Sequence, residues 1–463
     1  MGTSILFRHA IFKGAAGVAV AGLCVMAGTA GVAARTVPAA HRGTARPAGR
    51  GGTQRQATGF ASWPMFRGNL THSGVSPETG INTTTASTLT PGWSASTGTS
   101  TYSSPAVVDL KSLSEPVVFA GGSSSVNAYL ASTGALLWSF PVGNMVNSSP
   151  AVLNGVVYFV STGGTMYALN AKNGAVRCSL ATGQFTETSP VVVEDPDGSG
   201  PVVYFGTSPS LPSQGSEYAI YGPGNTHGSC TQDWAFDGWT IQPGGSWSPP
   251  AYGTNANGTH VVVMGSENTD NSVYALNAAT GAMLWTYRTS PTNLDNDVGA
   301  SPTISPPGAN GFADGVVYVT GKDKVTYAFD LTTGALLWQH ALSVGTAGDV
   351  CGSALVGNTL YLCSDTGVYA LNATTGAQVW HVIPNRAFYA SPAIVGAPGQ
   401  QVLVTANISG DIYVLNLANG NTLYIHNADS AGIWSSAAVS QNTIYITGKD
   451  GKLVTFTLPS ADR

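Results

Sequence analysis

The sequence predicts an all-β fold: an eight-bladed β-propeller of four-stranded antiparallel blades, its ring closed by strands from the two ends of the chain. Three observations predict it. A strand-and-turn phrase of the type Tyr-Ala-Leu-Asn-Ala-x-x-Gly-Ala-x-x-Trp recurs along the chain. A second phrase, Ser-Ser-Pro-Ala-Val followed by a short turn and Val-Val-Tyr-Phe, lies upstream of each copy. Their spacing of roughly 40–55 residues, filled by short strands, is the signature of a propeller rather than of two or three ordinary domains.

In chain order, the first element is Leu89–Ser96, an isolated strand containing Trp93. Eight blade starts follow, at Ser103, Ser148, Ser189, Ser248, Ser301, Gly352, Ser391 and Ser435. Within Ser148–Phe159, Asn154-Gly155 separates two apolar runs and reads as a tight hairpin turn. The clearest phrase copies are Tyr129–Trp138, Tyr274–Trp285, Tyr327–Trp338 and Tyr369–Trp380; decayed copies run Tyr167–Cys178, Tyr218–Trp234 and Tyr413–Tyr424. In the copy at 274, Tyr274, Leu276 and Ala278 alternate with Ala275 and Asn277, which is strand periodicity. Asn277 opens a turn through its short side chain, Gly281 supplies a positive φ, and Trp285 offers a large ring to the neighbouring blade. The last unit, Ser435–Leu458, stops after three strands. Leu89–Ser96 therefore supplies its fourth, which removes the open edge of the ring.

Ahead of the repeats the chain changes character. Arg8 and Lys13 precede an uncharged Ala/Gly/Val-rich stretch ending near Val32-Ala33-Ala34, the pattern of an export signal over residues 1–34. Residues 35–60 carry five Arg among Pro, Gly, Ala and Gln with no apolar period, and read as a disordered basic linker. The propeller domain is expected over residues 61–463. Export is expected to place the protein outside the cytoplasm, secreted, periplasmic or cell-wall associated, as a monomer with no stable membrane span if the signal is cleaved; the alternative is that the stretch, long enough to span, is kept as an anchor helix.

Charged residues make up 9% of the chain, against about 25% in an average domain. Residues 1–77 hold eight of the 18 Lys and Arg and none of the 23 Asp and Glu, so the repeat region is strongly acidic. An acidic body argues against nucleic acid, whose phosphates need a basic face. Export permits disulfides. The expected pairs are Cys351 with Cys363, which flank one hairpin, and Cys178 with Cys230, near the ends of consecutive blades. No metal-like His spacing, nucleophile elbow or phosphate-binding Gly loop is present.

The repeats resemble those of the PQQ-repeat (quinoprotein-type) eight-bladed β-propeller family over about Trp63 to Leu458, and Trp63-Pro-Met-Phe-Arg-Gly-Asn-Leu-Thr-His-Ser-Gly74 resembles the opening segment of that superfamily. The family includes quinone-dependent dehydrogenases and a non-enzymatic outer-membrane assembly scaffold. The dehydrogenase resemblance implies a site in three segments. Trp247 would lie under the planar quinone, and Asn268 would bind Ca²⁺ through a neutral oxygen donor. Asp295 or Asp297 would be the catalytic base, and Lys322 or Lys324 would meet the quinone oxygens. The segment expected to give an acidic Ca²⁺ ligand, Gly206–Glu217, holds only Glu217, and no vicinal Cys pair is present. Intact repeats with an incomplete site lead to two expectations. The first is a non-enzymatic scaffold that binds a protein or cell-envelope ligand at one mouth of the torus. The alternative is a PQQ- and Ca²⁺-dependent dehydrogenase of alcohols or sugars.

Overall fold

The structure is a computed structural model that describes residues 61–99, 102–209, 213–290, 296–343, 351–382, 387–459. The expected signal (1–34) and linker (35–60) lie outside the described residues. Eight four-stranded antiparallel sheets are present, each a simple meander. The first blade is Ala106–Val108, Val117–Gly121, Ser125–Leu130 and Leu136–Pro141. The last blade pairs Ala438–Ser440, Thr443–Thr447 and Lys452–Thr457 with the N-terminal strand Thr90–Ser96, in the order expected for ring closure. Among the described residues, no helix is long and apolar enough to cross a membrane.

The turn chemistry read from the sequence is realised. Asn154 and Gly155 both take positive φ, 49° and 74°, as a two-residue hairpin requires. Asn277 Oδ1 accepts the Ala279 N–H at 2.9 Å, and Gly281 sits at φ +68°. Cys351 and Cys363 are a correction: both are buried free thiols, not a disulfide. The register is as expected, Val356 facing Thr359, but the side chains are engaged elsewhere. Cys351 Sγ accepts the Cys363 N–H at 2.8 Å, while the Cys363 thiol lies 3.4 Å from Thr405 Oγ1 of the next blade.

The two repeat phrases join neighbouring blades. Trp93 Nε1 donates to the Ala131 carbonyl at 2.9 Å, and Trp138, Trp234, Trp285, Trp338 and Trp380 make the equivalent bond to the blade that follows. Each ring covers the turn glycine of that next blade; a Cβ on Gly281 would stand 2.7 Å from Trp234. Cys178 occupies this position in the second blade, and there a disulfide to Cys230 of the third blade replaces the tryptophan contact. At the inner ends of the blades, the second serine of the Ser-Ser-Pro phrase accepts from the preceding blade: Ser104 N–H to Ser149 Oγ at 2.9 Å, Ser149 N–H to Ser189 Oγ at 2.9 Å, and Ser436 N–H to Ser104 Oγ at 2.8 Å. The first serine ties its own blade, Ser148 Oγ donating to the Val160 carbonyl at 2.8 Å.

Residues 63–78 run inside the ring. This segment pairs with the middle residue of the innermost strand in blade after blade: Trp63 with Val107, Pro64 with Val152, Leu70 with Tyr252, Thr71 with Ile304, Ser73 with Leu355, and Gly74 and Ser76 with Ile394. Ser76 Oγ donates to the Val439 carbonyl at 3.0 Å. Backbone groups at the free edge of an inner strand need partners, and the segment provides them in the first, second and fourth to seventh blades. It also carries Arg67 and His72, each only 2% exposed. Burial lowers the Arg67 guanidinium to about 10, so it remains a cation. It donates to the carbonyls of Pro392 and Ser353.

Candidate functional site

A meander puts the loop entering each blade and the loop between its second and third strands at the same end of the torus. Trp247, Asp297 and Lys322 all come from such loops in the fourth and fifth blades. The structure brings these three together. Lys322 Nζ lies 3.0 Å from Asp297 Oδ2 and 5.2 Å from the centre of the Trp247 ring. Trp247 Nε1 donates to the same Asp297 oxygen at 3.3 Å. Gly299 makes room for the indole, since a Cβ there would stand 2.2 Å from it. The pair is largely shielded, with side-chain exposure of 19% for Lys322 and 8% for Asp297.

The other expected site residues are placed differently. Asn268 is exposed, and its side chain has no hydrogen-bond partner among the described residues. Asp295 lies outside the described residues. Lys324 turns away from Trp247 to pair with Asp365 at 3.1 Å. Glu217 is fully buried in the third blade, with neither carboxylate oxygen hydrogen-bonded, and burial alone raises its pKa well above the usual carboxylate range. No charged neighbour contributes to that shift, so Glu217 stands apart from Asp297. Among the described residues, no three His, Cys, Asp or Glu side chains gather as a metal-ligating group.

Two features of this mouth were missed in the sequence. The first is Glu267, beside Asn268. Its carboxyl is raised to about 7, mainly by burial, opposed by the Ser208 hydroxyl that donates to it and assisted by the negative charges of Asp297 and Glu187. The second is an aromatic stack. Trp434 lies on Tyr102 (centroids 4.8 Å apart, 15° between planes) and on Tyr389 (4.5 Å, 16°). Lys449 Nζ is 4.1 Å from the Trp434 ring centre. The signal was present: these aromatics occupy the position just before the Ser-Ser or Ala-Ser of their blade starts.

The fold and this mouth can be set beside known proteins. The family described as outer membrane protein assembly factor BamB matches residues 81–213, 239–343 and 269–463. The chain belongs to this family. It is 24% identical over 341 residues to the outer membrane protein assembly factor BamB of Yersinia pestis, covering 72% of the chain and 66% of that relative. It is 30% identical over 151 residues to the quinoprotein ethanol dehydrogenase of Pseudomonas putida, covering 30% of the chain and 24% of that enzyme. The chain thus spans just under two thirds of the length of the first relative and about a quarter of the second. The quinohemoprotein alcohol dehydrogenase ADHIIG of Pseudomonas putida HK5 superposes with a TM-score of 0.70 at 16% identity, over 86% of this chain and 80% of that one. This last likeness concerns the fold alone.

Proposed function

We propose that this BamB-family propeller is an exported, cofactor-free scaffold of the cell envelope that presents its aromatic mouth to a protein or cell-envelope ligand. The observation that carries the reading is the composition of the mouth above a ring threaded by its own N-terminal segment. Tyr102, Trp247, Tyr389 and Trp434 stand there with Lys322 and Lys449, over inner strands whose free edges residues 63–78 already cover. Trp and Tyr, with a few charges, are the residue types that dominate binding hot spots. The test is site-specific photocrosslinking in the native envelope. A photoreactive residue at Ser124, at the mouth end, should give a discrete protein adduct. One at Asn154, at the opposite end, should not. Equal adducts from both positions, or none from Ser124, would contradict the reading.

A second reading, a PQQ-dependent dehydrogenase, is favoured by the convergence of Trp247, Asp297 and Lys322. In that case Trp247 and Lys322 would hold the quinone, which supplies the hydride acceptor, and Asp297 would hold the substrate proton. It requires saturable quenching of tryptophan emission by PQQ with Ca²⁺, together with turnover of an alcohol or sugar.

A further inference from the structure

Lysines at the mouth end come from two loops that share a Gly-Lys-Asp sequence, Gly321-Lys322-Asp323 and Gly448-Lys449-Asp450. In both, the first lysine rests on a tryptophan supplied by the loop entering a blade: Lys322 on Trp247 and Lys449 on Trp434. The fourth and fifth blades lie across the ring from the eighth and first, so the two stations face each other over the mouth. Their charges differ. Lys322 pairs with Asp297, Lys324 with Asp365 and Lys452 with Asp450. Lys449 makes no ion pair among the described residues. The carboxylates near it are engaged elsewhere: Asp429 accepts the backbone N–H groups of Ala431 and Asp450, and Asp450 holds Lys452.

Beneath Lys449 the rings of Tyr102, Trp434 and Tyr389 are nearly parallel and within stacking distance. Stacking covers the facing sides of these rings and the Lys449 ammonium lies over Trp434 and Tyr102, so ring edges stand beside the ammonium. Ring edges carry the positive end of the aromatic quadrupole, so edges and ammonium attract the same partner, an anion. A pyranose ring, which seeks an open aromatic face, is served less well. Glu187, whose charge acts on Tyr102 and which accepts from Asn147 Nδ2 at 2.7 Å, bounds this surface on its other side.

We propose that Tyr102, Tyr389, Trp434 and Lys449 form a recognition shelf for an acidic segment of a protein partner, with a carboxylate seated between the Lys449 ammonium and the ring edges. The proposal rests on the docking reading given above and specifies the partner's chemistry. Lys322, already neutralised, leaves the opposite Trp247 station to apolar and aromatic side chains of the same segment.

The test is fluorescence anisotropy of the full chain with a labelled alternating Glu-Tyr hexapeptide, its Lys-Tyr counterpart, and an oligogalacturonate. The Glu-Tyr peptide should bind, lose affinity with salt, and weaken by at least about ten-fold in K449A, the equivalent of about 1.4 kcal/mol. K172A, in the turn between the third and outer strands of the second blade, should bind as the parent does. An unchanged melting temperature in K449A excludes misfolding as the cause, and K449R should restore binding. The proposal is overturned if K449A binds the Glu-Tyr peptide normally, if the Lys-Tyr peptide binds equally well, or if only the oligogalacturonate binds. Failure of the shelf leaves crosslinking at Ser124 intact. Failure of the docking reading removes that crosslink whatever K449A does.

Discussion

Trp63 donates its backbone N–H to the Val107 carbonyl at 2.7 Å and accepts the Val107 N–H at 2.8 Å. This reciprocal pair begins the path of the N-terminal segment around the inside of the ring. The segment satisfies inner-strand edges that a bare propeller would leave to solvent, so it is a structural component of the torus.

Arg67 ties that segment to the loops entering the sixth and seventh blades. Replacing it with Ala leaves the buried carbonyls of Pro392 and Ser353 without their charged donor and opens a cavity. R67A should cost about 3 kcal/mol, the scale of buried groups stripped of a charged partner. Urea unfolding should show a lower midpoint with an unchanged slope. A midpoint like that of the parent would mean the segment contributes little to the ring.

Glu217 makes stability depend on pH. Its folded pKa is raised by burial, so the folded state keeps a proton that the unfolded chain releases above its ordinary value of about 4.3. The contribution is fully favourable below that value. It is then lost by about 1.4 kcal/mol per pH unit as pH rises toward the folded pKa. E217Q should remove this slope, and its advantage over the parent should be larger at pH 7 than at pH 4. Parallel stability curves for the two proteins between these values would show that Glu217 is not buried as a neutral acid.

Glu267 gives the mouth a titration near neutrality. With its carboxyl at about 7, the group is neutral below that pH and adds a negative charge beside Asp297 above it. Binding of the acidic Glu-Tyr peptide should therefore weaken as pH rises through 7. E267Q should abolish that dependence while leaving binding at pH 6 close to the parent's. A pH profile identical in E267Q would assign the titration to another group.

The cysteines divide into one bridge and one buried pair. Among Cys178, Cys230, Cys351 and Cys363, iodoacetamide should modify none in the native protein and two, Cys351 and Cys363, in denaturant without reductant. Mass spectrometry of the labelled peptides reads this directly. The bridge spans 52 residues of sequence. C178S should therefore lower stability by up to about 4 kcal/mol on the chain-entropy account.

What was legible in the sequence follows from which interactions are local. Blade number, turn positions and ring closure were readable because Asn277, Gly281 and Trp285 act within or next to their own repeat. Cys178 stood out as a departure at the tryptophan position, and its bridge to Cys230 performs the same task of joining blades. Cys351 was misread because it lies one step off register from Cys363, as expected, but the direction of its sulfur is decided by hydrogen bonds that spacing cannot show. The path of residues 63–78 was illegible for a related reason: their partners lie up to 363 positions away, as for Ser76 and Val439. At the mouth, resemblance indicated Trp247, Asp297 and Lys322, which do converge. It missed Tyr102, Tyr389 and Trp434, whose importance arises from blades adjacent in the closed ring and far apart in the chain.

The mouth is proposed to be a cofactor-free docking face, and a quinone titration puts that proposal at risk. The purified protein would be titrated with PQQ in the presence of Ca²⁺, following tryptophan emission and dye-linked oxidation of alcohols and sugars. A docking face of this kind should give no saturable quenching at micromolar quinone and no turnover, in the parent and in W247A alike. Saturable quenching that disappears in W247A, with turnover that disappears in D297N, would contradict it and establish the dehydrogenase.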